Sequence, residues 1–332
     1  MSEALHRNSA LDFTKGVLVL LMLLYHWINY FVSTEGTIYT YLRFVTPSFI
    51  FITGFLISSI YPTKHGFDYL HIFWRLLQRG IKLLAIFTAL NVLANLFFAT
   101  NYRGQMPGIE GFFGQAADIY ISGNAKSLFW VLLPISYFLP IAGALLLIGR
   151  GNRLLLHGVC CLAVLCIAAS NLWSVSSANL EMLGVGVLGL MCGTYPIGRL
   201  NRLFEHAFVL GVLYVIYTVA IAIWGVPYVL QLVGVCLNVA LIYMTGIRCL
   251  IMRTAYNRVV MLGQYSLFGY IAQIGILHFL RQLMDHLDLP SMILWGISFT
   301  GACVLTIVTV MVLDEARKKI AVIRNMYQAV FA

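Results

Sequence analysis

Only 10% of the 332 residues are charged and 61% are hydrophobic, whereas soluble domains carry about 25% charged residues. That composition excludes a water-soluble protein. The formal net charge of +9 would suit a nucleic-acid partner, but the distribution of the charges, taken up next, excludes that as well.

A helix that crosses hydrocarbon needs roughly 20 apolar residues. Ten runs fit, at about 11–31, 44–61, 80–99, 128–148, 154–172, 180–198, 204–224, 227–247, 257–280 and 290–313. The expected fold class is all-α: a polytopic membrane protein of about ten transmembrane helices, in a single integral-membrane domain over residues 1–332. With ten spans both termini share one side. That side then holds all of the 21 Lys and Arg residues except Arg43, Arg103, Lys126 and Arg281. The asymmetry is strong, and it places both termini in the cytosol. The basic balance is therefore topology, and no nucleic acid is expected as a partner. The first run is too long for the apolar region of a signal peptide, and no small-residue cleavage pattern follows it. None of the seven cysteines forms a CxxC, so they read as small packing residues, and neither a disulfide framework nor a metal site is expected.

The first span, LDFTKGVLVLLMLLYHWINYF, carries a histidine where lipid would reject one. Lys15 and His26 are eleven residues apart, close to three helical turns, so they share a face with Val19, Met22 and Asn29, and Asp12 begins the same stripe. His26 lies about 16 Å deeper than Lys15, near the middle of the bilayer. It must face the bundle or a watery cavity, and its near-neutral pKa suits accepting and returning a proton. The plainer reading is an interhelical histidine that only holds helices together. In the second span, TPSFIFITGFLISS, Thr53-Gly54 permits close approach of another helix or of a ligand; helix packing is the favoured reading of the pair alone.

Residues 62–79, PTKHGFDYLHIFWRLLQR, are amphipathic, with the helical pattern strongest over 67–79, and they run into the third span. His71, Arg75, Arg79 and Lys82 fall at spacings of four, four and three and form a cationic stripe. Leu70, Phe73, Trp74 and Leu77 lie on the other side. Such a stripe anchors on anionic headgroups or, more sharply, holds a polyphosphate ligand. The longest external loop, 100–127, is rich in Gly, Tyr and Phe and carries Glu110 and Asp118. Tyr102, Phe112, Phe113 and Tyr120 suit stacking on sugar faces, while Gly104, Gly108, Gly111 and Gly114 allow closure over a substrate. Trp130 follows, at an outer mouth or in an interfacial aromatic belt. A solvated cap with no ligand accounts for the loop equally well.

Four of these stretches, in order, resemble the acyltransferase-3 family. Lys15-x10-His26 is similar to its basic-x10-His element, and FIFITGFLI to F-x-x-S-G-F-L-I. RGIK (79–82) resembles R-x-x-R, and LGQYSLFGYIAQ (262–273) resembles L-G-x-x-S-Y-x-x-Y-x-x-H. The chain departs from the pattern at Lys15, Thr53 and Lys82, which keep charge or hydroxyl character, and at Gln273, which cannot do acid–base work. The resemblance implies an inner (plasma) membrane O-acyltransferase that uses cytosolic acyl-CoA. Acetyl-CoA is the commonest donor, succinyl or a longer acyl group is the alternative, and no cofactor is permanently bound. The acceptor implied is a hydroxyl of a carbohydrate or glycoconjugate at the far side, with membrane lipids as surroundings. On that reading Arg75, Arg79 and Lys82, with Thr53, hold the donor, and His26 is the base or is itself acylated. Lys15 tunes the entrance or contacts CoA, and Asp12, three residues earlier, pairs with Lys15 and positions it. Asn29, Tyr30, Glu110, Trp130 and Gln273 meet the substrate. A proton-coupled transporter or flippase using His26 as relay is the rival, although no inverted repeat is visible. An acyltransferase-like sensor without activity is a third option.

Overall fold

The computed structural model describes residues 8–33, 37–97, 108–123, 127–173, 177–196, 198, 207–248, 253–287 and 290–331. Among them there is no strand. The helices are α1 (Ser9–Phe31), α2 (Thr37–Leu42), α3 (Val45–Lys64), α4 (Tyr69–Phe97), α5 (Gly108–Gly114), a π-helical turn (Asp118–Ser122), α6 (Leu132–Gly149), α7 (Arg153–Leu172) and α8 (Ala178–Cys192). After these come α9 (Ala207–Trp224), α10 (Tyr228–Arg248), α11 (Arg253–Gln264), α12 (Ser266–Met284), α13 (Ser291–Lys319) and α14 (Ala321–Phe331). Over their described residues the ten apolar runs fall mainly on helices, but they differ in reach. Among the described residues seven helices are long and apolar enough to cross a membrane, and α8 and α9 are apolar but shorter. The run at 257–280 is not one straight span: α11 and α12 meet at 94°.

The sequence explains the break. Helix α11, RTAYNRVVMLGQ, is too polar to continue an apolar span, and its Arg258 is exposed. At the corner Tyr265 leaves helical geometry (φ −107, ψ 26) and donates its hydroxyl to Asp314 at 2.6 Å. The amphipathic segment expected at 67–79 differs in the opposite sense. It is continuous with the third span as the 29-residue helix α4, about 44 Å long against roughly 30 Å of hydrocarbon. The face of α4 that is buried is Ile72, Leu76 and Gly80, while Leu70 and Trp74 are exposed.

The chain forms two compact units. The first comprises Met1–Val45, His206–Val226 and Cys236–Ala332. Here α1 begins at Asn8, whose side chain accepts from the backbone of Ala10 and Leu11 at 3.0 and 3.2 Å, satisfying two of the orphan donors of a helix start. Helix α1 then crosses α11 backbone to backbone. A Cβ on Gly16 would overlap the Val259 carbonyl, and one on Gly263 would overlap the Asp12 carbonyl. Helix α12 runs parallel to α1: a Cβ on Gly269 would touch Val19, and Arg281 donates to the Tyr30 carbonyl at 3.3 Å. Helix α13 runs antiparallel, with the Trp27 indole donating to Ser298 at 2.9 Å and that of Trp295 to the Phe31 carbonyl at 3.0 Å.

The second unit comprises Thr46–Glu205 and Pro227–Val235. Helices α3 and α8 touch along small residues, the arrangement that lets membrane helices approach closely. A Cβ on Gly54 would overlap the Gly186 carbonyl, and one on Gly189 would overlap the Phe51 carbonyl. Helices α4 and α6 meet at Pro140, which has no N–H for the Ser136 carbonyl. A Cβ on Gly80 would stand 2.6 Å from that oxygen.

These crossings predict a contrast between glycines. Gly263→Val and Gly54→Val should each cost more than the ~1–3 kcal/mol of ordinary overpacking, because backbone rather than side chain must move. Gly275→Ala, with nothing within 4 Å of its added carbon, should be nearly neutral. Thermal unfolding in detergent, read for all three variants, checks the order.

Candidate active site

His26 lies on α1 between two aromatic rings. Tyr25 is edge-on at 5.4 Å and Tyr270, from α12, is tilted at 6.1 Å. Its Nε2 is shielded from solvent and has no hydrogen-bond partner among the described residues. Gln273 stands one turn beyond Tyr270; it is fully buried, and neither its amide nitrogen nor its oxygen has a partner there. The Thr306 hydroxyl of α13 is in the same condition. The contacts of α1 with α12 and α13 place Gln273 and Thr306 at the level of Met22, about one turn from His26 toward Lys15. A buried polar group without a partner costs about 1–3 kcal/mol. These three stand on three helices of one unit, whose buried polar residues also include Asp12, Thr14, Asn238, His278 and Ser298.

At the start of the same helix Lys15 and Asp12 form an ion pair of 2.6 Å, with side chains 19% and 5% exposed. The pairing expected from their spacing is therefore present. Asn29 accepts from the Tyr39 hydroxyl at 2.5 Å, so its oxygen already serves α2. Tyr30 is buried. Asp12, Lys15, His26, Asn29, Tyr30 and Gln273 all belong to the first unit.

The cationic stripe belongs to the second unit. Arg75 and Lys82 are exposed. Arg79 donates to the Tyr61 hydroxyl, and its guanidinium lies 6.0 Å from the Tyr61 ring. The His65 ring lies tilted between Tyr61 at 5.7 Å and His71 at 5.3 Å. Partial desolvation, then the charges of Arg75, His71 and Lys64, hold the His65 pKa below 6.5. Tyr61 and His65 escaped the sequence reading because they sit in the last turn of α3 and in the turn just after it, outside the helix that carries the stripe. Thr53 donates to the Phe49 carbonyl of its own helix at 2.8 Å, while Gly54 packs on α8. The pair thus serves helix packing.

Of the loop expected outside, 98–107 and 124–126, including Tyr102 and Gly104, lie outside the described residues. The remainder is tied down. Tyr120 shares a hydrogen bond of 2.8 Å with Thr88, and its carbonyl accepts from Tyr137 at 2.9 Å. Phe112 is buried against Tyr120, Phe113 is 62% exposed, and Glu110 and Asp118 face outward. Gly111 and Gly114 are helical. The Trp130 indole nitrogen is buried without a partner among the described residues. No three His, Cys, Asp or Glu side chains among those residues cluster closely enough to hold a metal ion.

A family model, that of the acyltransferase-3 acyltransferase domain, matches residues 8–315, nearly the whole chain. No curated protein matches the chain, and no solved structure does.

The Asp12–Lys15 pair predicts a double-mutant pattern. Asp12→Asn leaves a mostly buried ammonium without its carboxylate and should destabilise by on the order of 3 kcal/mol. Adding Lys15→Met should restore most of that loss. Melting temperatures of the two single variants and the double variant report the coupling.

Proposed function

We propose a function from one premise: the chain belongs to the acyltransferase-3 family. It moves an acyl group, acetyl before succinyl, from cytosolic acyl-CoA to a hydroxyl of a carbohydrate or glycoconjugate. The acceptor lies at the far side of the inner (plasma) membrane, and both termini are in the cytosol, as the charge asymmetry supports. The observation that carries the reading is the His26 Nε2: a solvent-shielded ring nitrogen without a partner among the described residues, on a helix long and apolar enough to span a bilayer.

His26 takes the proton of the acceptor hydroxyl as its oxygen attacks the thioester carbon. The new C–O bond forms, the C–S bond breaks, and the CoA thiolate recovers a proton from the imidazolium. In the covalent variant Nε2 attacks first, and the acceptor oxygen then displaces it. Gln273 and Thr306 are the donors at hand for the carbonyl oxygen on which charge develops. Asp12 fixes Lys15 by its ion pair, and Lys15 sets the positive potential on this face. Arg75, Arg79 and Lys82 hold the donor phosphates as forks and a point charge, with Tyr61 holding Arg79. Glu110 and Trp130 serve the acceptor.

His26→Ala should fold and lose about 10²–10⁴ in rate, measured as acetyl transfer by purified protein; wild-type turnover would end the assignment. A wild-type protein that neither hydrolyses nor transfers from acetyl-CoA would return the transporter reading.

The donor site carries a pH signature. His65, with its pKa held below 6.5, is neutral at pH 7 and gains charge only as pH falls through that lowered value. Phosphates favour the charged form. CoA affinity, by calorimetry, should therefore strengthen as pH drops below the ordinary histidine value, and His65→Ala should flatten the dependence. Arg79→Ala should weaken CoA binding at every pH without changing the requirement for acceptor.

A further inference from the structure

Helix α14 follows the long helix α13 after a single residue, Ile320. Val322, Met326 and Val330 recur every four residues, so they share one face, and they are 65%, 63% and 42% exposed. Another face is occupied. The Tyr327 ring lies 5.5 Å from that of Tyr265 and 4.0 Å from the Arg317 guanidinium. Ten residues of continuous helix would set Arg317 and Tyr327 about 15 Å apart. The extended backbone at Ile320 (ψ 110) therefore turns α14 back against the end of α13, at the level of the Tyr265 corner.

The charges of this end are unequally committed. Lys318 is held by Asp314 and Glu315 at 2.6 and 3.1 Å, and Arg317 lies against two tyrosine rings. Lys319 and Arg324 are exposed and make no ion pair among the described residues. From Ala316 to Phe331 the chain has four basic residues and no acidic one. An exposed apolar stripe thus begins where the apolar helix α13 ends, beside two uncommitted cations.

The geometry points to α14 as an interfacial helix docked on the anionic surface of the bilayer that α13 crosses. Val322, Met326 and Val330 enter the acyl-chain boundary, and Lys319 and Arg324 meet lipid phosphates. Charge complementarity and continuity with a spanning helix favour lipid over a protein partner as the occupant. Through Tyr327, the lipid-held helix braces Tyr265, the residue at which α11 turns into α12. This reading is independent of the chemistry assigned to His26.

The test is hydrogen exchange of residues 321–331 in the full chain, in nanodiscs of phosphatidylcholine with or without phosphatidylglycerol. Exchange should slow by about tenfold or more with the anionic lipid, and high salt should remove that gain. Lys319→Gln with Arg324→Gln should remove the lipid dependence, and Val322→Ser with Met326→Ser should remove protection in both lipids. Equal exchange in the two lipids would overturn the proposal. So would protection that survives both variant pairs, or protection that appears only when mass photometry shows two chains per disc.

Discussion

The first unit depends on one contact, the crossing of α1 and α11 at backbone distance. Gly16 and Gly263 meet there with no side chain between the helices, and the Asp12 carbonyl sits against Gly263. A helix fixed at its start is fixed in rotation along its length. Setting Asp12 at the crossing therefore also sets which way Lys15, Val19 and His26 face. It sets the parallel course of α12 too, because the Tyr265 corner follows Gly263 by two residues. Tyr270 then comes against His26, and Gln273 comes one turn further on. Leu262, Tyr265 and Val310 close the core around that corner.

The bilayer offers no water to a stray polar atom, and most polar side chains in these helices answer by bonding their own backbone. Thr53, Ser59 and Thr88 donate to carbonyls four residues back at 2.8, 2.7 and 3.0 Å. Asn91 and Asn95 do the same at 2.9 and 2.8 Å. Gln273 could be hidden the same way and is not; nor is Thr306, whose hydroxyl has the geometry to back-bond as Thr53 does. In the second unit the local habit prevails, although the Asn95 and Asn179 amide oxygens and the Trp130 indole nitrogen are also buried without partners among the described residues. There, polar side chains chiefly mend helices.

What was legible in the sequence followed from local physics. Apolar runs marked every helix that holds them, and the three-residue spacing of Asp12 and Lys15 anticipated their ion pair. What was not legible came from distant partners. Nothing near Asn29 announces Tyr39, and nothing near Arg79 announces Tyr61, eighteen residues earlier. The straight ninth span failed because apolar content was averaged over 257–280, across a polar helix and an apolar one. Composition alone could not separate two uses of the aromatic residues in segment 108–123. Phe112 and Tyr120 are aromatic for the sake of packing on the second unit, with Tyr120 edge-on to Phe87 at 5.5 Å, so stacking residues and core residues look alike until burial is known.

Gln273 bears most directly on the proposed chemistry, because an amide stands where the family pattern has histidine. An amide can hold a carbonyl or an oxyanion but cannot carry a proton, so among His26, Gln273 and Thr306 the proposed chemistry gives the proton to His26. One carrier is enough for a thioester. The leaving thiolate belongs to a thiol whose pKa is about 8.5, so it departs without the full protonation that an alkoxide or amine would require. The difficult proton is that of the attacking hydroxyl, and in the proposed mechanism His26 takes it and later releases it to the thiolate. A site built for one transfer in each direction needs one base, donors for the oxyanion and exclusion of water. The first unit carries residues of these kinds at a shared depth, on helices whose relative setting begins at Gly16 and Gly263.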